Sequence, residues 1–197
     1  MRTLYLVSAP RGFGKTSFCE ALHANLTHFG LFPCSIVEKS ERNAQGIPFC
    51  IELKNLETGE RMVFAKRKAA DNAGAYPSFL FDDSAFAWAG LKLTEAIAEA
   101  RKPIILDEVG PLEIESSKGF APIVLELLNT FEGPLVLTIR PSLLEKFEKR
   151  FLNESAREWN LEQVVFQGME EAAYKAIQTA KSIFTIVSGS NELYIKK

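Results

Sequence analysis

The sequence predicts an α/β fold: a three-layer sandwich with a mostly parallel central sheet, helices on both faces, and a β-hairpin or meander excursion after the first helix. Three observations carry this. Short apolar runs of strand length alternate with amphipathic stretches of helical period along most of the chain. Two of those runs lead into segments suited to chemistry, Thr3 to Ser8 into a glycine-rich turn and Ile104 to Leu106 into Asp107-Glu108. The composition, 47% hydrophobic and 24% charged over 197 residues, is that of a globular chain that buries a core without disulfides or metals.

Thr3 to Ser8 is the first apolar run, and Phe18, Leu22, Leu26 and Phe29 then fall at helical spacing until Gly30 stops the helix. Cys34 to Glu38, Ile47 to Leu53 and Arg61 to Ala65 read as extended, with Glu57-Thr58-Gly59-Glu60 as a turn between the last two. Together with a small, polar loop from Arg67 to Tyr76 they form a lid-sized excursion over residues 34–76. Asp82 or Asp83 caps the next helix, whose stripe is Phe86, Leu93, Ile97 and Ala100. Pro103 then opens the strand Ile104-Ile105-Leu106, a place where a strand tolerates proline.

The set Phe120, Ile123, Val124, Leu127, Leu128 and Phe131 marks an amphipathic helix, and Gly133-Pro134 turns it into the strand Leu135 to Ile139. Leu143, Leu144, Phe147 and Phe151 give another helix, Leu161 to Phe166 another strand, and Ala173, Ala176, Ile177, Ala180 and Ile183 a last long helix. Residues 184–197 read as a C-terminal hairpin or tail. With no repeat, linker or low-complexity segment, residues 1–197 are expected to form one domain.

Lys plus Arg total 23 against 25 Asp plus Glu, a net charge of −2 that argues against nucleic acid and anionic membranes. Any phosphate recognition must be local. Cys19, Cys34 and Cys50 are odd in number and lie among apolar neighbours, as reduced core thiols do, and no run approaches the length of a transmembrane helix. A cytoplasmic protein is expected. His23 and His28 lie five apart on the first helix with no Cys or acid to complete a zinc site, and Trp88 and Trp159 read as core or rim aromatics.

The segment Ala9-Pro10-Arg11-Gly12-Phe13-Gly14-Lys15-Thr16 matches the phosphate-loop pattern G-x-x-x-x-G-K-S/T, with Ala9 in place of the first glycine. It follows a predicted strand and opens a predicted helix, the context that separates such a loop from a glycine-rich turn that binds nothing. Gly12 and Gly14 permit the dihedrals that bring backbone amides onto an anion. Lys15 is placed to reach the β- and γ-phosphates, and the Thr16 hydroxyl to ligate Mg²⁺. Ala9 through Thr16, with Ser17, is therefore the expected nucleotide-binding segment.

Such a loop needs acidic partners. Asp107 is the candidate Mg²⁺ ligand with Thr16, and Glu108 the candidate base toward water, since a strand-terminal residue can swing toward the γ-phosphate. Without the loop, the two acids could equally start a solvated loop or cap a helix. Asp107-Glu108-Val109-Gly110 also satisfies an Asp-x-x-Gly pattern, which adds Gly110 to the nucleotide-binding set. No Asn-Lys-x-Asp segment follows, so base selectivity is expected to be loose. Arg140, after Leu135 to Ile139, is placed either to stabilise γ-phosphate charge beside Lys15 and Glu108 or to sit as a surface arginine before a helix. Arg11 could close over the nucleotide, and Lys66, Arg67 and Lys68 read as a solvated basic run.

The chain resembles the THEP-type nucleoside-triphosphatases. The resemblance rests on Ser8 to Thr16, on Gly46-Ile47-Pro48-Phe49, on Phe81-Asp82-Asp83-Ser84-Ala85-Phe86, and on Ile105-Leu106-Asp107-Glu108-Val109-Gly110-Pro111-Leu112-Glu113. The Gly-Pro-Leu-Glu that follows the acids is its most specific part. The resemblance implies a RecA-like core that hydrolyses ATP, GTP and other nucleoside triphosphates with Mg²⁺ to the diphosphate and phosphate. Ala9 departs from the family pattern, and Ser188 to Lys197 has no counterpart in it. Two other readings fit the same loop: a small-molecule or nucleotide kinase whose excursion cups an acceptor, and a nucleotide-dependent switch acting on an unidentified protein partner.

Overall fold

The computed structural model describes residues 2–67, 79–98 and 103–189. Its centre is an eight-stranded sheet in the order β5-β4-β3-β2-β6-β7-β1-β8. The strands are β1 (Thr3–Ser8), β2 (Cys34–Arg42), β3 (Pro48–Asn55), β4 (Arg61–Arg67), β5 (Phe79–Phe81), β6 (Ile104–Val109), β7 (Leu135–Ile139) and β8 (Asn160–Val165). β2, β6, β7, β1 and β8 pair in parallel, whereas β2, β3, β4 and β5 form an antiparallel meander. The expected meander after the first helix is present as β2 to β5. Its strands continue the central sheet, because the edge of β2 away from β6 is open for β3 to pair along.

Strand alternation sends β1 to two cores. Leu4 and Leu6 join the larger one, and Tyr5 and Val7 the other. On the second face lie α1 (Lys15–His28) and α6 (Met169–Ser188). Phe18, Cys19, Leu22 and Leu26 are fully buried there at helical spacing, and Gly30 follows with φ 79°. The first face carries α2 (Asp83–Ile97) and α4 (Ala121–Thr130), with the short α3 (Pro111–Ser116) and the helical stretch around α5 (Leu144–Phe147). Asp82 caps α2 by accepting from the Ser84 amide at 2.9 Å. All three cysteines are buried and in no disulfide, and His23 Nδ1 lies 2.9 Å from Ser35 Oγ, tying α1 to β2.

Two expectations are corrected. α6 runs through Ser188, so Phe184 to Val187 belong to a helix and not to a hairpin or tail. The physical reason is packing against α1: the Phe184 and Phe29 rings lie 5.5 Å apart, and Ile186 and Val187 rest on the second core. The buried stripe of α6 also shifts to Ala172, Ala176, Thr179, Ala180 and Ile183, leaving Ala173 and Ile177 exposed. Residues 190–197, Ala100 and the loop after Arg67 lie outside the described residues. No described helix is long and apolar enough to cross a membrane.

Candidate active site

The carboxyl ends of β1, β7, β6 and β2 lie side by side, and the glycine-rich loop, Asp107, Glu108 and Arg140 stand at that rim. After β1, Gly12 and Gly14 take φ of 83° and 97°, which L side chains avoid. A Cβ on Gly14 would also stand 2.5 Å from Met169 Sδ. The Phe13 amide donates to the Pro10 carbonyl at 3.2 Å to close the turn. Ala9 needs no positive φ: among the described residues only Glu108 and Ser117 have one without being glycine. Its methyl is buried in the second core. Pro10, Arg11 and Phe13 are exposed. Lys15 is only 6% exposed, and its Nζ donates to the Ala9 carbonyl at 3.3 Å and lies 3.8 Å from Glu108 Oε2.

β6 bulges at the acids. Leu106 pairs with Leu137 and Val109 with Ile139, so Asp107 and Glu108 together stand opposite the single residue Thr138. Glu108 takes φ 63°. Simple alternation would send the two acids to opposite faces of the sheet. The bulge overrides it, and both carboxylates line one cavity. Thr138 holds the bulge: its hydroxyl donates to Asp107 Oδ1 at 2.6 Å and accepts from the Glu108 amide at 2.8 Å. Asp107 Oδ2 accepts from the Thr16 hydroxyl at 2.6 Å. Burial pushes the Asp107 carboxyl up from its ordinary value, against the pull of those two hydroxyls.

Glu108 is held by cations. Its Oε1 accepts from Arg140 Nε at 2.9 Å and Nη2 at 2.6 Å, while Oε2 faces Lys15. Beyond the bulge, Glu113 is 3% exposed and accepts from the Gly110 amide at 2.8 Å and the Phe120 amide at 3.1 Å. Gly119, with φ 59°, leaves the room it needs, because a Cβ there would stand 2.2 Å from Glu113 Oε1.

Two cavities share this rim. One, of about 420 Å³, follows the loop and is lined by Gly12, Gly14, Lys15, Thr16 and Ser17. The other, of about 300 Å³, lies under the meander and is lined by Asp107, Gly110 and several phenylalanines. Arg11, Glu38, Glu108 and Arg140 line both. Burial, with Glu108 and Asp107 nearby, pushes the Glu38 carboxyl up to about 7, while Arg140 and Arg11 pull it down.

The fold therefore brings Lys15, Thr16, Asp107, Glu108 and Arg140 together as the motifs require. Gly110 sits on the second cavity, its amide committed to Glu113, and Ala9, Pro10 and Phe13 line neither cavity. Sequence reasoning missed Glu38 and Thr138. Glu38 had a signal, since it follows the apolar run Cys34 to Val37 just as Asp107 follows Ile104 to Leu106. Thr138 had none, because one threonine inside an apolar strand reads as β propensity.

The donor set suits Mg²⁺. Thr16 Oγ1 and Asp107 Oδ2 are hard oxygen donors 2.6 Å apart, and the buried carboxylate would gain from a cation.

A family model described as NTPase matches residues 4–175. The crystal structure of THEP1 from the hyperthermophile Aquifex aeolicus superposes with a TM-score of 0.64 at 18% identity, covering 92% of this chain and 99% of that one. The solution structure of a human cancer-related nucleoside triphosphatase gives 0.67, again at 18% identity, covering 98% and 100%. No curated protein sequence matches.

Proposed function

The chain belongs to the NTPase family and is a nucleoside triphosphatase, and we propose that it cleaves the γ-phosphate of ATP- and GTP-type nucleotides with Mg²⁺, with loose base selectivity. The observation that carries this reading is the convergence of Thr16, Asp107, Lys15, Glu108 and Arg140 at one rim, joined by the 2.6 Å bond from Thr16 to Asp107. Thr16 and Asp107 would hold the metal, which when bound neutralises charge on the β- and γ-phosphates.

The rest is done by the chain's own groups. Loop amides and the start of α1 bind the phosphates. Glu108 now holds Lys15 and Arg140 where a γ-phosphate would compete for them. Once both cations turn to the nucleotide, the freed carboxylate takes a proton from water. The water oxygen bonds to phosphorus, the bond from phosphorus to the β,γ-bridging oxygen breaks, and the electron pair leaves on the diphosphate. Arg140 stabilises the charge that develops.

The reading is tested by incubating ATP or GTP with Mg²⁺ and measuring phosphate release beside Lys15→Ala. Release well above the variant supports the reading, and equal release overturns it.

A further inference from the structure

Water alone does not account for the second cavity. Its 300 Å³ would hold about ten waters at roughly 30 Å³ each, whereas hydrolysis needs one. Its walls are apolar: Phe64, Phe79, Phe81, Phe86 and Phe120 line it, with Leu53 from β3. The rings brace one another in a chain. Phe81 packs on Phe64 at 5.9 Å, Phe64 on Phe86 at 5.4 Å and Phe86 on Phe120 at 4.9 Å, the last two edge to face. The wall is preformed, in the manner of small-molecule sites, and favours a flat aromatic body.

The polar rim says what that body carries. Asp107 and Glu113 are occupied by Thr16 and Thr138 and by two backbone amides. Among the described residues no hydrogen bond reaches the Glu38 carboxylate. With Asp107 and Glu113 the lining sets four acids against two arginines, so an anionic ligand is disfavoured, and the four residues shared with the loop cavity are Glu38, Glu108, Arg11 and Arg140. They also form the junction with the loop cavity, where the γ-phosphate would end.

Resting on the proposed nucleotide site, we propose that this chamber binds a neutral alcohol built on one or two aromatic rings, and that the enzyme transfers the γ-phosphoryl group to its hydroxyl. The alcohol oxygen bonds to phosphorus, the bond to the β,γ-bridging oxygen breaks, and the electron pair leaves on the nucleoside diphosphate. The hydroxyl proton passes to Glu38. The products are a phosphomonoester and the diphosphate, and hydrolysis is the corresponding displacement with water in the acceptor's place and Glu108 taking the proton.

The test uses the full chain with ATP, Mg²⁺ and, in turn, benzyl alcohol, phenethyl alcohol and naphthalenemethanol at about 10 mM, enough to fill even millimolar sites. Phosphorus NMR reads ADP, phosphate and phosphomonoester. Expected is ADP in excess of phosphate with at least one alcohol, the difference appearing as phosphomonoester. Phe81→Ala, at an exposed position, lowers the ratio of phosphomonoester to phosphate about tenfold, and Glu38→Gln about a hundredfold. ADP equal to phosphate with all three alcohols overturns the acceptor site and leaves the hydrolase standing. ADP no higher than with Lys15→Ala, with or without alcohol, overturns both. Phosphomonoester formed equally well by Phe81→Ala and Glu38→Gln places transfer outside the chamber and overturns the proposal.

Discussion

At position 108 the backbone is left-handed, with φ 63° on a residue that is not glycine. Such a conformation costs roughly 1–2 kcal/mol, and it aims the carboxylate at Lys15 and Arg140. Two deletions of the carboxylate separate that backbone cost from the ion pairs, because Glu108→Gly and Glu108→Ala lose the same charge. Glu108→Gly is expected to be the more stable by about 1 kcal/mol in urea unfolding; equal stabilities would mean that the position carries no backbone strain. Glu38 makes a second prediction. Its carboxyl lies near 7 in the folded protein free of nucleotide and metal, through burial and the facing Glu108 and Asp107, opposed by Arg140 and Arg11. The unfolded group titrates near its ordinary value of 4.5. Between those values the folded state holds a proton that the unfolded state has lost, so Glu38 costs stability as pH rises through this window. Above it the cost is about 3 kcal/mol. Glu38→Gln should therefore stabilise the protein strongly at pH 8 and hardly at pH 4, as thermal unfolding across pH with EDTA present will show; a gain independent of pH would contradict the assignment.

Between β6 and β7, a single hydroxyl holds two functional residues in place. Thr138 is fully buried and bonds both the Asp107 carboxylate and the Glu108 amide. Thr138→Val leaves a buried acceptor and a buried donor unsatisfied, each worth about 1–3 kcal/mol, whereas Thr138→Ser keeps both bonds and loses one methyl. The valine variant is expected to be less stable than the serine variant by about 2 kcal/mol in denaturant unfolding. Equal stabilities would mean that the bulge needs no hydroxyl. This junction also marks the limit of what local pattern conveys. The apolar run Ile104-Ile105-Leu106 and its two acids are legible as a strand with a functional end, but a bulge depends on what the neighbouring strand offers opposite, and no spacing within β6 encodes Thr138. The end of α6 is a similar case: Phe184 to Val187 has the composition of a strand, and contact with α1 makes it helical.

Across the molecule, the phosphate loop lies more than ninety residues before the acids and Arg140, and the three meet because β7 stands between β1 and β6. The alternation of strand and helix made that layered architecture legible, and the spacing around Lys15 made the loop legible, because both are properties of contiguous residues. What stayed hidden was made by pairing. The meander was readable as an excursion, yet its continuation of the sheet, and with it the phenylalanine chamber and the position of Glu38, arises only when β3 pairs along β2. The net charge of −2 likewise fits a protein whose positive potential is local, in loop amides, a helix start, Lys15 and Arg140, and not spread over a surface. The central claim is that Glu108 removes the proton from the attacking water while other groups bind the nucleotide. The direct measurement is NTP turnover and nucleotide affinity for Glu108→Gln beside the native protein. The account predicts turnover lower by about a hundredfold or more with nucleotide binding retained, and normal turnover with weakened binding would contradict it.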